Sequence, residues 1–586
     1  MPLYKAPLRD YEFCLNELFA DEQRRRPQCF ADITPDVVAQ ILAEGAKFAE
    51  QILHPLNLTA DEESCRLTDG AVTTPKGFKE AYRQLAEGGW PGLTCDPAHG
   101  GQGLPHVVNF LFEEMICAAS LSFSLYAGLT RGAYVAVARH AGAELQALYA
   151  PRLASGEWAG AMCLTESHSG TDLGLLRTSA VPNADGSHAL TGTKIFISAG
   201  EHDLTPNIVY LVLARLPAAP KGTKGISLFL VPKFLCDAQG TLGARNAVSC
   251  SALEQKMGIH GCSTCVMNFD GATGWLVGEP HQGLKAMFAM MNAERIAVGI
   301  QGLAIAEASY QNAVAYARER LQSRSPKGAQ LPDKPADPII MQPDVRRMLM
   351  TQRALIEGCR MLALWTALWL DAAERHPDES ERQRAGQWVA LLTPVVKAFL
   401  TDSGSEVANL GMQVFGGHGY IRANGQEQLV RDARITQIYE GTNGVQAMDL
   451  LGRKVLSDGG KALALFAVEI GHHLKSTPGD FTVPLARALQ QLQDATAYVM
   501  QQATRNPEAV GAAAVPYLRL FALTAIGYLF SRAAVSAAGR NNEPFYAAKL
   551  ATARFFGCQL LPQADALFAA ITAGAEPVMA MDEMAF

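Results

Sequence analysis

The sequence has few charged residues and no excess of basic ones. Charged residues make up 18% of its 586 positions, and the formal net charge is −7. Because general nucleic-acid binding requires an excess of Lys and Arg facing the phosphates, we predict no nucleic-acid partner. Hydrophobic residues make up 49% of the chain, which excludes a disordered protein and predicts a soluble globular one with several packed domains.

Long hydrophobic runs without a charge are also missing. The longest candidate, residues 512–530, carries Arg519 in its middle and is predicted to be a buried helix, so we expect no integral membrane segment. The first four residues, Met-Pro-Leu-Tyr, begin no signal peptide. The twelve cysteines are scattered and mostly lie in apolar surroundings, which is typical of reduced thiols. Together these features predict a cytoplasmic protein.

The sequence lacks the ligand count that a structural metal site requires. One Cys-x-x-Cys motif, Cys262 to Cys265, lies near Cys250 and His260, but no second such motif is present. On a strand, two residues three positions apart also point to opposite faces. We therefore predict no metal site.

The spacing of apolar residues changes along the chain and defines its organisation. A helical period gives way near residue 156 to short β-prone runs separated by turn sequences, and the helical period returns near residue 281. We find no internal repeat. The pattern predicts an α+β multidomain protein with an N-terminal extension (1–36), an N-terminal helical domain (37–155), a central antiparallel β domain (156–280), a C-terminal helical bundle (281–455) and an additional helical domain (456–586).

Three segments contain residues suited to binding a cofactor. Residues 162–172 run from a short strand into a loop of hydroxyl residues and glycine, whose N–H and O–H groups can bond a polar heterocycle or a phosphate. Residues 194–198, Lys-Ile-Phe-Ile-Ser, are typical of a largely buried strand. The glycines of residues 413–420 would let the backbone approach a ligand closely, although a Gly-Gly helix end explains them equally well.

A fourth segment carries an acidic residue, Glu440. A Glu directly before Gly is normally a solvated helix end. Here Ile435, Ile438 and Tyr439 precede it. Burial among such side chains raises the pKa of a carboxylate and makes it a usable base, so Glu440 is the candidate catalytic residue.

Four segments, 162–172, 194–198, 256–261 and 413–442, resemble in this order the signatures of the acyl-CoA dehydrogenase family. Any one of them is a weak signal, and together they identify the chain, from about residue 40 to 455, as similar to that family. The length and the added C-terminal helices resemble its larger bacterial branch, which includes the 3-methylmercaptopropionyl-CoA dehydrogenases and related long-chain enzymes.

The resemblance implies FAD-dependent α,β-dehydrogenation of an acyl-CoA thioester. FAD would lie between the β domain and the C-terminal helices, with the thioester between the flavin and Glu440. Glu440 would remove the α-proton while the β-hydrogen leaves as hydride to flavin N5, and the product would be a trans-2-enoyl-CoA. An electron-transfer flavoprotein is the implied electron acceptor.

The resemblance also implies roles for individual residues. Those implied to contact the flavin ring or its ribityl chain are Leu164, Thr165, Thr171, Phe196 and Ser198. Those implied to hold the adenosine half and the phosphates of FAD, partly across a subunit boundary, are Arg320, Gln413, Gly416, Gly417 and Thr442. Those implied to contact the substrate are Thr171, Asn292, Arg295 and Gly441.

Several positions depart from the family pattern. Arg324 is an alternative to Arg320 as the arginine that binds the FAD phosphates, because the aromatic residue and glycine usual after the family's arginine are absent. Gln342-Pro343 replaces the family's His-Gln pair, and Gly444 replaces a common Gln. Phe196 stands where many members have Trp, which keeps an aromatic lid over the flavin.

Glu294 is a second candidate base. It matches the helix from which isovaleryl-type members project their base, but those members lack Glu in the later motif. We therefore expect Glu440 to be the base and Glu294 to be a helix or active-site wall residue. Two close carboxylates in an apolar pocket would titrate as a coupled pair.

Residues 456–586 lie outside the resemblance. We expect them to pack against the helical bundle and to leave a homodimer. A DNA-associated, AidB-like flavoprotein is one alternative, but it would need a basic surface here, and this segment has nine Lys/Arg and ten Asp/Glu. An acyl-CoA oxidase, which reduces O2, is a second alternative that these motifs do not separate from a dehydrogenase.

Overall fold

The computed structural model describes residues 2–24, 30, 33–477 and 479–586. Residues 1, 25–29, 31 and 32 of the predicted N-terminal extension, and residue 478, lie outside the described residues. The chain divides into two compact units. We call residues 45–297 the β unit, and residues 1–44 with 298–586 the helical unit.

The α-helices of both units are numbered in chain order. They are α1 (Leu8–Phe13), α2 (Ala20–Arg24), α3 (Pro35–Lys47), α4 (His54–Glu63), α5 (Phe78–Glu87), α6 (His106–Ala119), α7 (Leu121–His140), α8 (Ala143–Ser155), α9 (Gly283–Glu319), α10 (Pro343–Arg375), α11 (Glu379–Phe415), α12 (Gln426–Thr436), α13 (Asn443–Met448), α14 (Lys461–Ser476), α15 (Thr482–Ala503), α16 (Ala509–Ala537), α17 (Pro544–Phe555), α18 (Gln563–Thr572) and α19 (Glu576–Met579).

Among the described residues, the strands all lie in the β unit. They are β1 (Arg66–Thr68), β2 (Ala71–Thr73), β3 (Ala159–Cys163), β4 (Ser179–Pro182), β5 (His188–Ser198), β6 (Ile208–Arg215), β7 (Ile226–Pro232), β8 (Phe234–Cys236), β9 (Leu242–Arg245), β10 (Val248–Leu253) and β11 (Thr264–Val277).

A seven-stranded sheet forms the centre of the β unit. Its order is β10-β11-β5-β4-β6-β3, and β7 pairs with both β11 and β6. Most neighbours are antiparallel, as predicted, but β3 and β4 pair with β6 in parallel. Strands β6 and β7 are almost entirely buried, because their sequences are almost entirely apolar and leave no polar face for solvent.

A small hairpin interrupts the segment that the sequence pattern predicts to be helical. Strands β1 and β2 pair in antiparallel register, with Leu67 opposite Val72. Asp69 and Gly70 form the two-residue turn, with φ values of 51° and 77°. Asp-Gly is a typical turn of this left-handed type, so the sequence does carry a signal for this hairpin.

The helical unit is a bundle around long helices. Helix α10 packs against α11, and α16 packs against both as well as against α15, α17 and α18. The prediction that residues 512–530 form a buried helix is confirmed for residues 520–530 of α16, which are buried, whereas Val515 is 57% exposed. By length and composition α16 could also cross a membrane, and 67% of its most apolar window is buried within the protein.

Candidate functional site

The loop that follows β3 is fixed by one buried carboxylate. The side chain of Glu166 accepts hydrogen bonds from the backbone N–H of Arg177 at 2.8 Å and of Thr178 at 3.0 Å. The Thr178 hydroxyl donates a third bond at 2.6 Å. Residues 166 and 169 also exchange two backbone hydrogen bonds of 3.0 Å each. These bonds close the hydroxyl-rich loop on itself.

Lys194 of β5 is the cation that neutralises this carboxylate. Its ammonium group is fully buried and donates to the Glu166 carboxylate and to the Leu164 carbonyl, each at 2.9 Å. Burial alone would raise the pKa of Glu166, but Lys194 and the Thr178 hydroxyl lower it to about 2. Burial lowers the pKa of Lys194, and the Glu166 charge opposes that shift.

Phe196 projects from the sheet because β5 contains a bulge. Lys194 pairs with Met267 of β11, whereas Ile197 pairs with Cys265, so two residues of β5 oppose one of β11. The bulge reverses the alternation of side chains, and Phe196 is 60% exposed with a φ of 60°. The interpretation of residues 194–198 as a largely buried strand is therefore wrong at Phe196.

The other candidate flavin residues of the β unit lie near this bulge. The N–H of Ile195 donates to the Thr165 carbonyl at 2.9 Å, which joins the loop to the bulge. Ser198 ends β5 opposite Thr264. Leu164 is buried, Thr165 and Ser198 are half-buried, and Thr171 is exposed farther along the loop. Leu164, Thr165, Phe196 and Ser198 are thus brought together, and Thr171 belongs to the same loop.

The candidate substrate residues of α9 lie on either side of Glu294 in the sequence, and the Glu294 side chain is buried. Arg295 donates to the Asn292 side chain at 3.3 Å. Glu294 is 4% exposed, and a Cβ atom at Gly132 of α7 would come within 2.7 Å of its carboxylate. Burial opposes the charge of Arg131, but the carboxylates of Glu113 and Glu294 raise the pKa of that guanidinium. Glu294 therefore shares a buried cluster with a permanent cation.

In the helical unit, a cleft brings Arg320 together with the glycine-rich segment after α11. Its volume is about 380 Å³. Its lining residues are Tyr316, Arg320, Gln322, Ile339, Gln413, Val414, Phe415, Gly416, Gly417 and His418. Gly416 has a φ of 59°, which ends α11 and turns the backbone into the cleft wall.

Tyr316 and His418 are residues of this cleft that the sequence motifs did not single out. The Tyr316 ring stacks on Phe415 at 4.2 Å between centroids, and its hydroxyl lies 2.9 Å from Nδ1 of His418. Tyr316 lies one helical turn before Arg320. This spacing is the feature of the sequence that could have indicated that both side chains line the same cleft.

Arg324, the alternative to Arg320, makes its hydrogen bonds within its own loop. Its guanidinium donates to the carbonyls of Leu331 at 3.0 Å and of Lys334, and lies 3.4 Å from the buried Asp337 carboxylate. Asp337 also accepts backbone bonds from within this loop, including one of 2.8 Å from Leu331. Arg324 therefore organises its own loop, whereas Arg320 lines the cleft.

Glu440 lies in the turn between α12 and α13. Its backbone is left-handed, with a φ of 56°, and Gly441 follows with a φ of 87°. The Gln446 amide donates to the Glu440 carbonyl at 3.2 Å, and the Asn443 N–H donates to the Gln437 carbonyl at 3.1 Å. The turn is thus closed on both sides of Glu440.

Side chains of α11 hold this turn in place. The Asn443 amide donates to Asp402 at 2.7 Å, and Gln437 donates to the same carboxylate at 2.6 Å. The buried Lys397 donates to the Asn443 side chain at 2.9 Å. Ile438, which was predicted to enclose Glu440, is instead 45% exposed.

Thr442 and the Cys-x-x-Cys segment have local structural roles. The Thr442 hydroxyl accepts from the Val445 N–H at 3.4 Å and caps α13. Cys265 lies within β11, whereas Cys262 precedes that strand in a turn closed by a 3.0 Å bond from its N–H to Ile259. Among the described residues, no three His, Cys, Asp or Glu side chains could hold a metal ion.

Family models cover nearly the whole chain. Residues 39–157, 161–272 and 281–456 match the N-terminal, middle and C-terminal domains of acyl-CoA dehydrogenases. Residues 466–582 match a domain described as "Acetyl-CoA dehydrogenase C-terminal like". The additional C-terminal helices are therefore a known companion of this fold, although the boundaries set by the sequence pattern remain predictions.

Curated relatives match over the full length. The chain is 43% identical to the 3-methylmercaptopropionyl-CoA dehydrogenase of Ruegeria pomeroyi, over 97% of this chain and 98% of that protein. It is 34% identical to the broad-specificity linear acyl-CoA dehydrogenase FadE5 of Mycobacterium tuberculosis, over 100% of both.

A solved structure shows the same fold. The acyl-CoA dehydrogenase of Bacillus anthracis complexed with FAD superposes with a TM-score of 0.75 at 20% identity, over 97% of this chain and 92% of that one. The order of helical, β and helical domains with an added C-terminal domain agrees with the predicted fold class. The chain belongs to the acyl-CoA dehydrogenase family and is an FAD-dependent acyl-CoA dehydrogenase.

Proposed function

We propose that Glu440 removes the α-proton of the acyl-CoA thioester, and that the product is a trans-2-enoyl-CoA. The observation that carries this proposal is the left-handed backbone of Glu440, with a φ of 56°. A non-glycine residue held there costs of the order of 1–3 kcal/mol, and such strain persists where the surrounding structure imposes it, often at functional sites. The hydrogen bonds that close the turn supply that constraint.

The environment of Glu294 supports this choice of base. Glu294 is buried beside Gly132 and shares its cluster with Arg131. A neighbouring cation favours the ionised form of a carboxylate and weakens it as a base. Glu440 lies in a turn and, as a residue, is more exposed than Glu294, which is 4% exposed.

The candidate residues of the β unit suit the isoalloxazine part of FAD. The exposed ring of Phe196 offers a flat apolar face, and Thr165 and Ser198 supply polar groups beside it. The bulge keeps Phe196 outside the sheet core, where it can cover a planar ligand. FAD, when bound, accepts the pair of electrons that leaves with the β-hydrogen.

The cleft of the helical unit suits a diphosphate and an adenosine. Arg320 supplies a permanent positive charge, and Gly416 and Gly417 leave room for close backbone approach. We propose that this cleft binds the adenosine half of FAD held by a second copy of the chain. The exposed Tyr420 and Ile421, 79% and 54% accessible, support a subunit contact beside it. The oligomer we propose is a homodimer, measurable by light scattering.

The remaining roles follow from the same proposal. Thr171, Asn292, Arg295 and Gly441 contact the acyl-CoA. An electron-transfer flavoprotein reoxidises the reduced enzyme, and the reaction takes place in the cytoplasm. The substrate to test first is 3-methylmercaptopropionyl-CoA, because the relative named for it is 43% identical over nearly the full length.

Anaerobic titration of the yellow holoenzyme tests this function. We expect 3-methylmercaptopropionyl-CoA to bleach the flavin, and colour to return when oxidised electron-transfer flavoprotein is added. Rapid recovery in air with formation of peroxide would instead identify an oxidase. Bleaching by longer acyl-CoAs alone would overturn the proposed substrate, and absence of bleaching by every thioester would overturn the reaction.

A further inference from the structure

We infer that the buried ion pair between Lys194 and Glu166 is a positioning device for FAD. It fixes the spacing between loop 163–172 and the bulge at 195–196, the two segments that carry the candidate flavin residues of the β unit. This inference rests on the proposed contact of both segments with FAD. Neither Lys194 nor Glu166 needs to touch the cofactor, because each acts through the neighbours that it holds.

Three hydrogen bonds join the loop directly to the bulged strand. Lys194 bonds Leu164 and Glu166, and the N–H of the next residue, Ile195, bonds Thr165. Three consecutive loop residues are therefore tied to two consecutive strand residues. Movement of Thr165 relative to the bulge would break at least one of these bonds.

Glu166 extends the same restraint to the far end of the loop. Besides Lys194, it accepts the backbone N–H groups of Arg177 and Thr178, which lie just before β4. One carboxylate thus ties the start of the loop to the segment that follows it. The residues between these two points, including Thr171, therefore form a loop whose ends are joined by the hydrogen bonds of the buried Glu166 side chain.

Lys194 also determines how the strand presents Phe196. Its side chain points into the protein, and the bulge starts at the next residue. Moving a strand by one residue exchanges its two faces, and a buried charge with a fixed partner forbids that exchange. The pair therefore keeps Phe196 on the exposed side of β5.

The charges of Lys194 and Glu166 themselves indicate a role beyond stability. Replacing a buried ion pair by apolar residues of similar volume is often neutral for stability or even favourable. Stability alone therefore gives little reason for a fully buried Lys and a buried Glu. A pair that bonds three separate points of the backbone, at residues 164, 177 and 178, instead holds one particular geometry.

The test compares Lys194→Met with Lys233→Met. Lys233 forms a second buried pair in the β unit, with Glu201, and its ammonium group does not bond loop 163–172. Both variants lose a buried cation, so both should melt at a lower temperature than the parent. We expect only Lys194→Met to weaken FAD affinity, by up to about tenfold, because that is the effect of losing one hydrogen bond from a misplaced loop. Its visible flavin absorption band should shift as well.

A neutral double variant guards against misfolding. Lys194→Met with Glu166→Gln removes both charges, so no unpaired buried charge remains. We expect it to fold, and to keep the weakened FAD affinity and the shifted absorption band. Parent-like affinity and spectrum in the double variant, or the same losses in Lys233→Met, would overturn the positioning role.

A direct-contact variant separates this inference from the proposed function. Phe196→Ala should weaken FAD binding if Phe196 covers the flavin. Weaker binding in Phe196→Ala, combined with parent-like binding in Lys194→Met, would overturn the positioning role and leave the proposed FAD contacts intact. Unchanged binding in both variants would overturn the contacts themselves.

Discussion

The β unit and the helical unit each hold one important candidate residue in a left-handed backbone, but they support it differently. Phe196 has a φ of 60° in a strand bulge, next to a fully buried ion pair. Glu440 has a φ of 56° in a turn held by the amide groups of Gln446 and Asn443 and by their partners. The buried ion pair of Lys194 and Glu166 suits a surface around Phe196 that must keep one geometry. At Glu440 the turn is bonded by amide groups, and the charged side chains of Asp402 and Lys397 act through Asn443 and Gln437.

The largest effect expected from this comparison is on catalysis. Glu440→Gln keeps the shape of the side chain but removes the base. We expect FAD to stay bound and bleaching by acyl-CoA to slow by about 10²- to 10⁴-fold, the usual contribution of a general base. Stopped-flow absorbance under anaerobic conditions measures that rate.

Glu294→Gln is the matched control for this variant. It changes a buried carboxylate beside Arg131, so it should lower the melting temperature and leave the bleaching rate within a few-fold of the parent. Rapid bleaching in Glu440→Gln together with slow bleaching in Glu294→Gln would move the base to α9.

The next effect concerns the two arginines of the helical unit. Arg320→Ala should weaken FAD binding by about ten- to a hundredfold, because a hydrogen bond to a charged group is worth about 1.5–3 kcal/mol. Its melting temperature without FAD should stay close to that of the parent, since Arg320 is exposed. Fluorescence of released FAD gives the dissociation constant.

Arg324→Ala should give the opposite result. Its guanidinium bonds the carbonyls of Leu331 and Lys334, so its loss should lower the melting temperature without weakening FAD binding. Parent-like FAD affinity in Arg320→Ala, with weak affinity in Arg324→Ala, would reverse the assignment of the phosphate arginine.

A smaller expected effect, on melting temperature, distinguishes the contribution of backbone strain at Phe196 from that of its aromatic ring. Phe196→Gly removes both the ring and the unfavourable φ, whereas Phe196→Ala removes the ring alone. Relief of strain is worth about 1–3 kcal/mol, and the entropy of glycine offsets about 0.5–1 kcal/mol of it. We expect both apoproteins to bind FAD weakly, and the Gly variant to melt at the higher temperature. Equal melting temperatures would show that the bulge stores no strain.

The order of the domains and the position of the candidate turn at Glu440 could be predicted from the sequence, because they depend on local periodicity and on short motifs. The exposure of Phe196 could not be predicted from residues 194–198 alone, without the family resemblance, because it depends on the pairing of β5 with β11, about 70 residues away in the chain. Local alternation alone predicts a buried aromatic residue at this position.

The buried pair of Lys194 and Glu166 was hidden for a similar reason. Each residue is polar and lies in a segment of ordinary composition, and the two meet only when β5 packs against the loop after β3. The contacts of Arg324 likewise needed the structure, because the carbonyls that it bonds belong to Leu331 and Lys334 in its own loop. In contrast, the Asp69-Gly70 turn was present as a signal and was overlooked within a helical segment.

The smallest expected effect is on the pH dependence of stability. It distinguishes a buried carboxylate, Glu166, from an exposed one, Glu80, in the same unit. Burial would raise the pKa of Glu166, but Lys194 and Thr178 lower it from 4.5 to about 2. Hydrogen bonds from Arg83 and Gln84 lower the pKa of the exposed Glu80 to about 2 as well. For both groups the ionised form stabilises the fold above pH 4.5, and that contribution is lost as the pH falls towards 2.

Solvent and salt screen the exposed pair far more than the buried one. We therefore expect the difference in free energy of unfolding between the parent and Glu166→Gln to shrink as the pH falls from 4.5 to 2, in low and in high salt alike. The corresponding difference for Glu80→Gln should be small in low salt and disappear in high salt. Urea denaturation of the apoproteins across this pH range measures both. Identical, salt-sensitive behaviour of the two variants would mean that water reaches the Lys194–Glu166 pair, and a solvated pair could not hold the loop in one geometry.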